Sequence, residues 1–117
     1  MKESILKIKS YKFAIRIVKL YQFLVKEKRE FVLSRQILRS GTAIGALIRE
    51  AEFGQSKADF INKMSIALKE ANETIYWLEI LKDTGYIDEK LFQSPYADCE
   101  ELIKMLVSTV KTTKNNQ

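Results

Sequence analysis

The sequence predicts an all-α protein, an up-and-down bundle of four helices. Apolar residues recur at three- and four-residue steps over most of the chain, as expected of helices that bury one face. The 117 residues include one Pro and four Gly, so turns are few and the elements between them are long. Because this length is near the usual size of one domain, we expect residues 1–117 to fold as a single bundle with short connections.

Four stretches carry the helical pattern, and local signals mark their ends. Ser56 and Asp59 resemble a capping box at the start of the third stretch, Asp88 is placed to cap the fourth, and Gly85 suits the left-handed position after a helix. Pro95 either kinks one helix or begins a new one after a short turn, and we favour one kinked helix. The predicted helices span residues 4–27, 32–53, 57–84 and 88–113.

The middle of the second predicted helix is rich in residues with small side chains. Gly41 and Gly45 lie four residues apart, which puts both on one face and lets another helix approach closely. Because Gly inside a helix costs about 1 kcal/mol relative to Ala, we expect a compensating contact. Ala67 and Ala71 of the third predicted helix are the expected partners.

Positive charge is concentrated in the first half of the chain. Residues 1–50 carry a net charge of +8 and residues 51–117 a net charge of −3. The cations of the first predicted helix return to one side of it, and those of the second form an i,i+4 pair. A phosphate-binding surface, a solvated helix face and attraction between copies all fit this pattern. The candidate phosphate contacts are Lys9, Lys12, Arg16, Lys19, Arg35 and Arg39.

The third predicted helix carries more apolar surface than a four-helix core requires. Tyr76, Trp77 and Ile80 extend its buried stripe towards a second side. Because soluble monomers seldom expose a large apolar patch, we expect self-association. The alternative is that Trp77 covers one end of the bundle and Tyr76 lies along the surface. The predicted interface consists of Glu70, Glu73, Tyr76, Trp77 and Ile80.

Few residues are candidates for catalysis. The chain contains no His and one Cys, which excludes Ser–His and Cys–His pairs and any internal disulfide. We expect Cys99 to be a buried thiol, and the glycine spacing matches no phosphate-binding loop. The sequence therefore predicts no enzyme, cofactor or metal, with a carboxylate-only magnesium site among Glu50, Glu70 and Glu73 as the remaining alternative.

Nothing in the sequence indicates a membrane protein. No apolar run approaches the roughly 20 residues of a membrane span, and the Lys-rich opening lacks the features of a signal peptide. We therefore predict a cytoplasmic protein without a membrane partner.

Several blocks of sequence carry a family resemblance. They are QILRSGTAIGA at 36–46, SKADF at 56–60, IALKEANET at 66–74, YWL at 76–78 and GYI at 85–87. Together they resemble the bacterial four-helix-bundle family known from intervening sequences of 23S rRNA genes. The resemblance implies a homopentameric ring without enzymatic activity. Leu47 stands where that family often has Asn, so the polar contact of that Asn is not expected here.

The resemblance also bears on function. A relative in diversity-generating retroelements, the accessory variability protein, is a basic barrel that binds nucleic acid and a reverse transcriptase. We therefore predict a non-enzymatic homo-oligomer that binds RNA or DNA through a basic surface on its first two helices. The alternative is a protein scaffold without nucleic-acid binding. Arg39 has a second interpretation, an ion pair with Glu70 or Glu73 of a neighbouring subunit.

Overall fold

The computed structural model describes residues 4–116, which form four α-helices. No residue in this range lies in a strand, so the predicted all-α fold is confirmed. Each helix begins and ends within two residues of its predicted bounds. The helices are α1 (Ile5–Lys26), α2 (Leu33–Glu52), α3 (Lys57–Asp83) and α4 (Glu89–Asn115).

The helices pack in chain order, and α4 returns to α1. Among the described residues, no Cα atom of α1 lies within 8 Å of one in α3, and none of α2 within 8 Å of one in α4, as expected of an up-and-down bundle. The bundle measures 49 × 23 × 20 Å. The α1–α4 seam is less closely packed than the three others, and it lies on the opposite side of the bundle from the α2–α3 seam.

The core is filled by aliphatic side chains from all four helices, with a small polar contact among them. Ser40 of α2 and Thr74 of α3 are both fully buried. The Thr74 hydroxyl lies 2.9 Å from Ser40 Oγ and 2.8 Å from the Glu70 carbonyl oxygen. The buried hydroxyl is therefore hydrogen-bonded within the protein. Leu47, at the position noted above, packs half-buried against this core.

Three of the predicted helix-end signals are found in the structure. Ser56 Oγ accepts a hydrogen bond from the Asp59 N–H at 3.1 Å, and Asp88 Oδ1 accepts one from the Leu91 N–H at 2.8 Å. Gly85 has a φ of +84°, the left-handed conformation that Gly adopts without steric cost. These contacts explain why α3 begins and ends, and why α4 begins, close to where the sequence predicts.

The start of α2 is capped by a residue that the sequence did not single out. The Glu30 carboxylate accepts hydrogen bonds from the N–H groups of Val32, Leu33 and Ser34 at 3.1, 2.9 and 2.7 Å. Burial alone raises the pKa of such a carboxyl, but these three backbone donors outweigh burial and hold the pKa of Glu30 below its ordinary value. Glu30 therefore satisfies the free N–H groups of the first turn in its ionised form.

The glycines of α2 face a different helix from the one predicted. A Cβ atom on Gly41 would lie 2.8 Å from Ile17 Cγ2, and a Cβ atom on Gly45 would lie 3.3 Å from Ser10 Oγ. Both neighbours belong to α1, so the predicted pairing of the glycines with Ala67 and Ala71 of α3 is wrong. Those two alanines are fully buried, and the carbonyl oxygen of Ala71 faces α4.

The fourth helix continues without a break through Pro95, which confirms one helix rather than two. The kink at this residue remains a prediction. Cys99, one turn further on, is fully buried, and its thiol donates to the Ala71 carbonyl oxygen at 3.3 Å. Burial raises the pKa of Cys99 to about 12, so the thiol stays protonated, as expected of a packing residue.

Candidate nucleic-acid interface

A groove follows the loosely packed seam between α1 and α4. It consists of two adjoining cavities of about 470 and 340 Å³, which meet at Arg16. Its floor is apolar and includes Phe13 and Leu20 of α1 and Leu102 of α4. Its cationic residues are Lys9, Lys12, Arg16, Lys19 and Lys90, and its acidic residues are Asp98 and Glu101.

The cations lie in the groove because of their position beside the buried stripe of α1. Phe13, Ile17 and Leu20 point into the core. Lys12, Arg16 and Lys19 each directly precede one of these buried residues, so they lie at the edge of the seam on the side towards α4. Long Lys and Arg side chains there cover the apolar floor with their methylene groups while their charges stay in water.

Two of the groove cations are paired with α4. Lys9 Nζ donates to both carboxylate oxygens of Glu101, at 2.9 and 3.0 Å. Arg16 Nη1 lies 3.1 Å from Asp98 Oδ2 and also contacts Ser94 Oγ. All four charged side chains are about half exposed, so each ion pair contributes only about 0–1 kcal/mol to stability.

Lys12 and Lys19 are the groove cations of α1 that keep their charge free. Both are exposed, and neither forms an ion pair with a residue in the range 4–116. The sequence singled out all four cations of this stripe, and the structure brings them together in one groove. Lys90 was missed, because it lies in the first turn of α4 and belongs to no periodic set of cations.

The two candidate arginines of α2 lie away from this groove. Arg39 reaches across the α2–α3 seam on the far side of the bundle, with Nη1 3.2 Å from Glu70 Oε1 and Nη2 bonded to Glu73 Oε2. Arg35 is exposed and forms no ion pair with another described residue. The structure therefore does not bring all six candidate cations onto one surface.

Arg39 is instead part of a polar cluster that joins α2 to α3 within one chain. Glu73 also accepts a hydrogen bond from Trp77 Nε1 at 3.1 Å. This bond, together with the one from Arg39, holds the pKa of Glu73 below its ordinary value, and the bond to Glu73 raises the pKa of Arg39. Glu70 Oε1 is buried close to Arg39 without a well-formed hydrogen bond.

This cluster changes the interpretation of the predicted interface on α3. Glu70 and Glu73 pair with Arg39 of their own chain, so a carboxylate from a neighbouring subunit is not needed. Trp77 and Ile80 are half-buried, and Trp77 packs against the core. Tyr76 alone of the three apolar residues is mostly exposed, at 56%, and its ring meets Trp77 edge-on at 5.1 Å.

The described residues form neither a metal-binding cluster nor a membrane-spanning helix. Between residues 4 and 116, no three Cys, Asp or Glu side chains are grouped closely enough to hold a metal ion. None of the four helices combines the length and the apolar character needed to cross a membrane.

Comparisons with known proteins agree with this architecture. The model of the 23S rRNA-intervening sequence protein family matches residues 2–108. A similar solved structure is the 1.70 Å crystal structure of a protein with unknown function from the S23 ribosomal protein family of Bacteroides thetaiotaomicron. The two chains are 61% identical with a TM-score of 0.91, over 92% of this chain and 99% of that one. No curated protein matches the chain.

Proposed function

This chain belongs to the family of 23S rRNA-intervening sequence proteins, and on that basis we propose that it is a non-enzymatic, cytoplasmic protein that binds RNA or DNA through the α1–α4 groove. The observation that supports this proposal is the charge of the groove, in which five cationic side chains face two carboxylates. Cations gathered along a groove bind a polyanion favourably, because counterions are released from its phosphates.

The proposal places the binding surface on α1 and α4 rather than on α1 and α2. Lys12 and Lys19 contribute most, because they meet phosphate without giving up an ion pair. Lys9 and Arg16 contribute less, because a phosphate must replace Glu101 or Asp98 as their partner. Contacts of this kind carry no base information, so the binding has little sequence preference.

The two arginines of α2 have different roles in this proposal. Arg39 stabilises the α2–α3 seam through Glu70 and Glu73 and does not contact phosphate. Arg35 lies in the first turn of α2, at the end of the bundle where α1 ends and α4 begins. A nucleic acid that leaves the groove at this end meets Arg35 as an additional cation.

Neutralising Lys12 and Lys19 tests the proposal. We expect the double variant Lys12→Gln/Lys19→Gln to bind a labelled RNA oligonucleotide about 25-fold more weakly at 0.1 M salt, as two lost single-strand phosphate contacts predict. Fluorescence anisotropy measures the dissociation constants.

The matched control removes two exposed cations elsewhere, in Lys69→Gln/Lys111→Gln. These residues lie on α3 and near the end of α4 and do not line the groove. We expect a change of no more than about threefold for this variant, since long-range charge effects are screened. Equal losses in the two double variants would show that net charge, and not the groove, governs binding.

A second candidate function, a protein scaffold, is favoured by apolar exposure on α1. Ile5, Ile8, Tyr11 and Ile15 are 62, 38, 53 and 42% exposed. Large apolar side chains clustered on one helix are typical of a surface that another protein chain covers. In this proposal the chain assembles with copies of itself, in a ring of five as the family resemblance implies, and presents its charged rim to a protein such as a reverse transcriptase.

A charged residue on the outer face of α1 tests this assembly. We expect the wild-type protein to sediment as an oligomer at micromolar concentrations and Ile15→Glu to sediment as a 13.6 kDa monomer, because a buried unpaired carboxylate opposes association. Tyr76→Glu is the control on α3. If it dissociates the oligomer and Ile15→Glu does not, the contact lies on the α3 surface that the sequence predicted.

A further inference from the structure

The connection between α1 and α2 exposes apolar side chains among cations. We refer to residues 28–32 of this connection as the tip. Phe31 and Val32 are 45 and 70% exposed, and Lys28 and Arg29 directly precede Glu30. A turn that only reverses the chain is ordinarily polar, so an exposed aromatic ring flanked by cations is a feature that neither the core nor the helix ends require.

The tip is held in one conformation by its own hydrogen bonds. The Glu30 carboxylate binds the first N–H groups of α2, and Ser34 Oγ donates to the Glu30 carbonyl oxygen at 2.8 Å. The Glu30 N–H donates to the Leu24 carbonyl oxygen at 3.0 Å, which fixes the tip to the end of α1. The backbone on both sides of Phe31 is therefore held in place, which reduces the conformational entropy lost on binding.

Cations lie over aromatic rings at two places near the tip. The Arg29 guanidinium is 5.7 Å from the centre of the Phe31 ring, and Lys28 Nζ is 5.9 Å from the centre of the Phe23 ring. Phe23 also lines the α1–α4 groove, beside Lys19. A cationic and aromatic surface thus continues from the groove to the base of the tip.

The exposed charge of residues 26–35 is mostly positive. Lys26, Lys28, Arg29 and Arg35 are exposed, and Glu27 is the one exposed carboxylate among residues 26–35. Glu30 is buried, with its charge directed at the start of α2. Within residues 26–35, a polyanion therefore meets four cations and one anion.

From these contacts we infer that the tip binds an unpaired base of a nucleic acid by stacking on Phe31, so that the protein prefers single strands to duplexes. The inference rests on the proposed nucleic-acid binding of the groove and names its substrate class. In a duplex the faces of the bases are covered by their neighbours, whereas each base of a single strand offers a free face to an aromatic ring. Phosphates of the same strand follow the cations from the groove.

The test compares single-stranded and duplex probes of the same sequence. We expect Phe31→Ala to weaken binding of a labelled RNA of about 12 nucleotides at least fivefold, the lower end for the loss of one stacked base, and to leave duplex binding within about twofold. Phe31→Tyr keeps an aromatic ring and should restore single-strand affinity. Val32→Ala is the matched control, because it removes a more exposed apolar side chain that has no ring.

Each outcome separates this inference from the proposed function. If Phe31→Ala binds single strands as tightly as the wild type, or loses both probes equally, the stacking inference is overturned while the groove proposal stands on its own lysine variants. If the wild type binds neither probe at low salt, both are overturned. If Phe31→Ala instead changes the sedimentation of the protein and not its binding, the tip contacts a second copy of the chain, and the inference is also overturned.

Discussion

We expect Gly41→Ala to lower the free energy of unfolding by up to about 2 kcal/mol, although Ala favours helices over Gly. The added Cβ would lie 2.8 and 2.9 Å from Ile17 Cγ2 and Cγ1 and 3.2 Å from Ile17 Cβ. Ile17 is fully buried and β-branched, so its side chain has no other rotamer to adopt without disturbing the core. Overpacking of this kind costs about 1–3 kcal/mol and helix propensity returns about 1 kcal/mol, so the net loss is about 0–2 kcal/mol. Contacts below 3 Å with a buried side chain favour the upper part of this range. Denaturant unfolding measures the difference.

Two further variants connect this effect to the contact with α1. Gly45→Ala should be close to neutral, because its Cβ would meet Ser10 atoms at 3.3–3.5 Å, near ordinary contact distance. Ile17→Ala removes both γ carbons, so Gly41→Ala should become neutral or stabilising in that background. Additive effects of Ile17→Ala and Gly41→Ala would contradict the packing that we describe.

We expect Glu30→Ala to destabilise the protein at neutral pH by about 1–3 kcal/mol. The substitution removes the acceptor for three N–H groups at the start of α2 and leaves the buried Ser34 N–H without a partner. Glu27→Ala is the matched control, because Glu27 lies three residues earlier and is exposed. A Glu30→Ala variant as stable as the wild type at pH 7 would show that the cap contributes nothing.

The contribution of Glu30 to the free energy of unfolding also decreases at low pH, because the pKa of its carboxyl is lowered in the folded protein. The folded protein lowers the pKa of this carboxyl from 4.5, so the ionised form is favoured by folding. Its stabilisation is complete above the unfolded pKa and is lost as the pH falls through the folded pKa. The difference in stability between wild type and Glu30→Gln should therefore be largest near pH 7 and shrink below pH 4.5. Chemical denaturation at several pH values measures it.

The fold was predictable because its signals are local. Apolar residues at three- and four-residue steps define the four buried faces. Ser56 and Asp88 cap the starts of α3 and α4 by bonds within three residues, and Gly85 follows the end of α3. The cap of α2 was not predictable in the same way. It depends on Arg29 adopting a φ of +54°, and no residue pattern at the tip indicates that a Glu replaces the usual Ser, Thr, Asp or Asn.

The partner of the two glycines was not determined by their spacing. Residues four apart share a face of α2, but α2 lies between α1 and α3, and the rotation of the helix decides which of them the face meets. The contacts of Gly41 with Ile17 and of Gly45 with Ser10 depend on that rotation. The hydrophobic periodicity determines the rotation of α2 about its axis only to within the width of its buried face.

The candidate site was predictable only on α1. Its cation stripe follows from helical spacing, but the partners that neutralise part of it lie far away in sequence, as Glu101 does from Lys9. For Arg39 the sequence did indicate Glu70 or Glu73 as a partner, but it placed the ion pair between subunits, whereas the structure forms it within one chain. A sequence shows where cations repeat, whereas only the packed structure shows which of them remain free.

The salt dependence of RNA binding tests most directly whether the groove contacts phosphate. We predict that the logarithm of the association constant falls linearly with the logarithm of salt concentration, and that Lys12→Gln/Lys19→Gln makes this slope shallower by about 1.4, the value for two single-strand phosphate contacts. Absence of binding by the wild type at low salt, or the same slope in the wild type and the variant, would contradict the account.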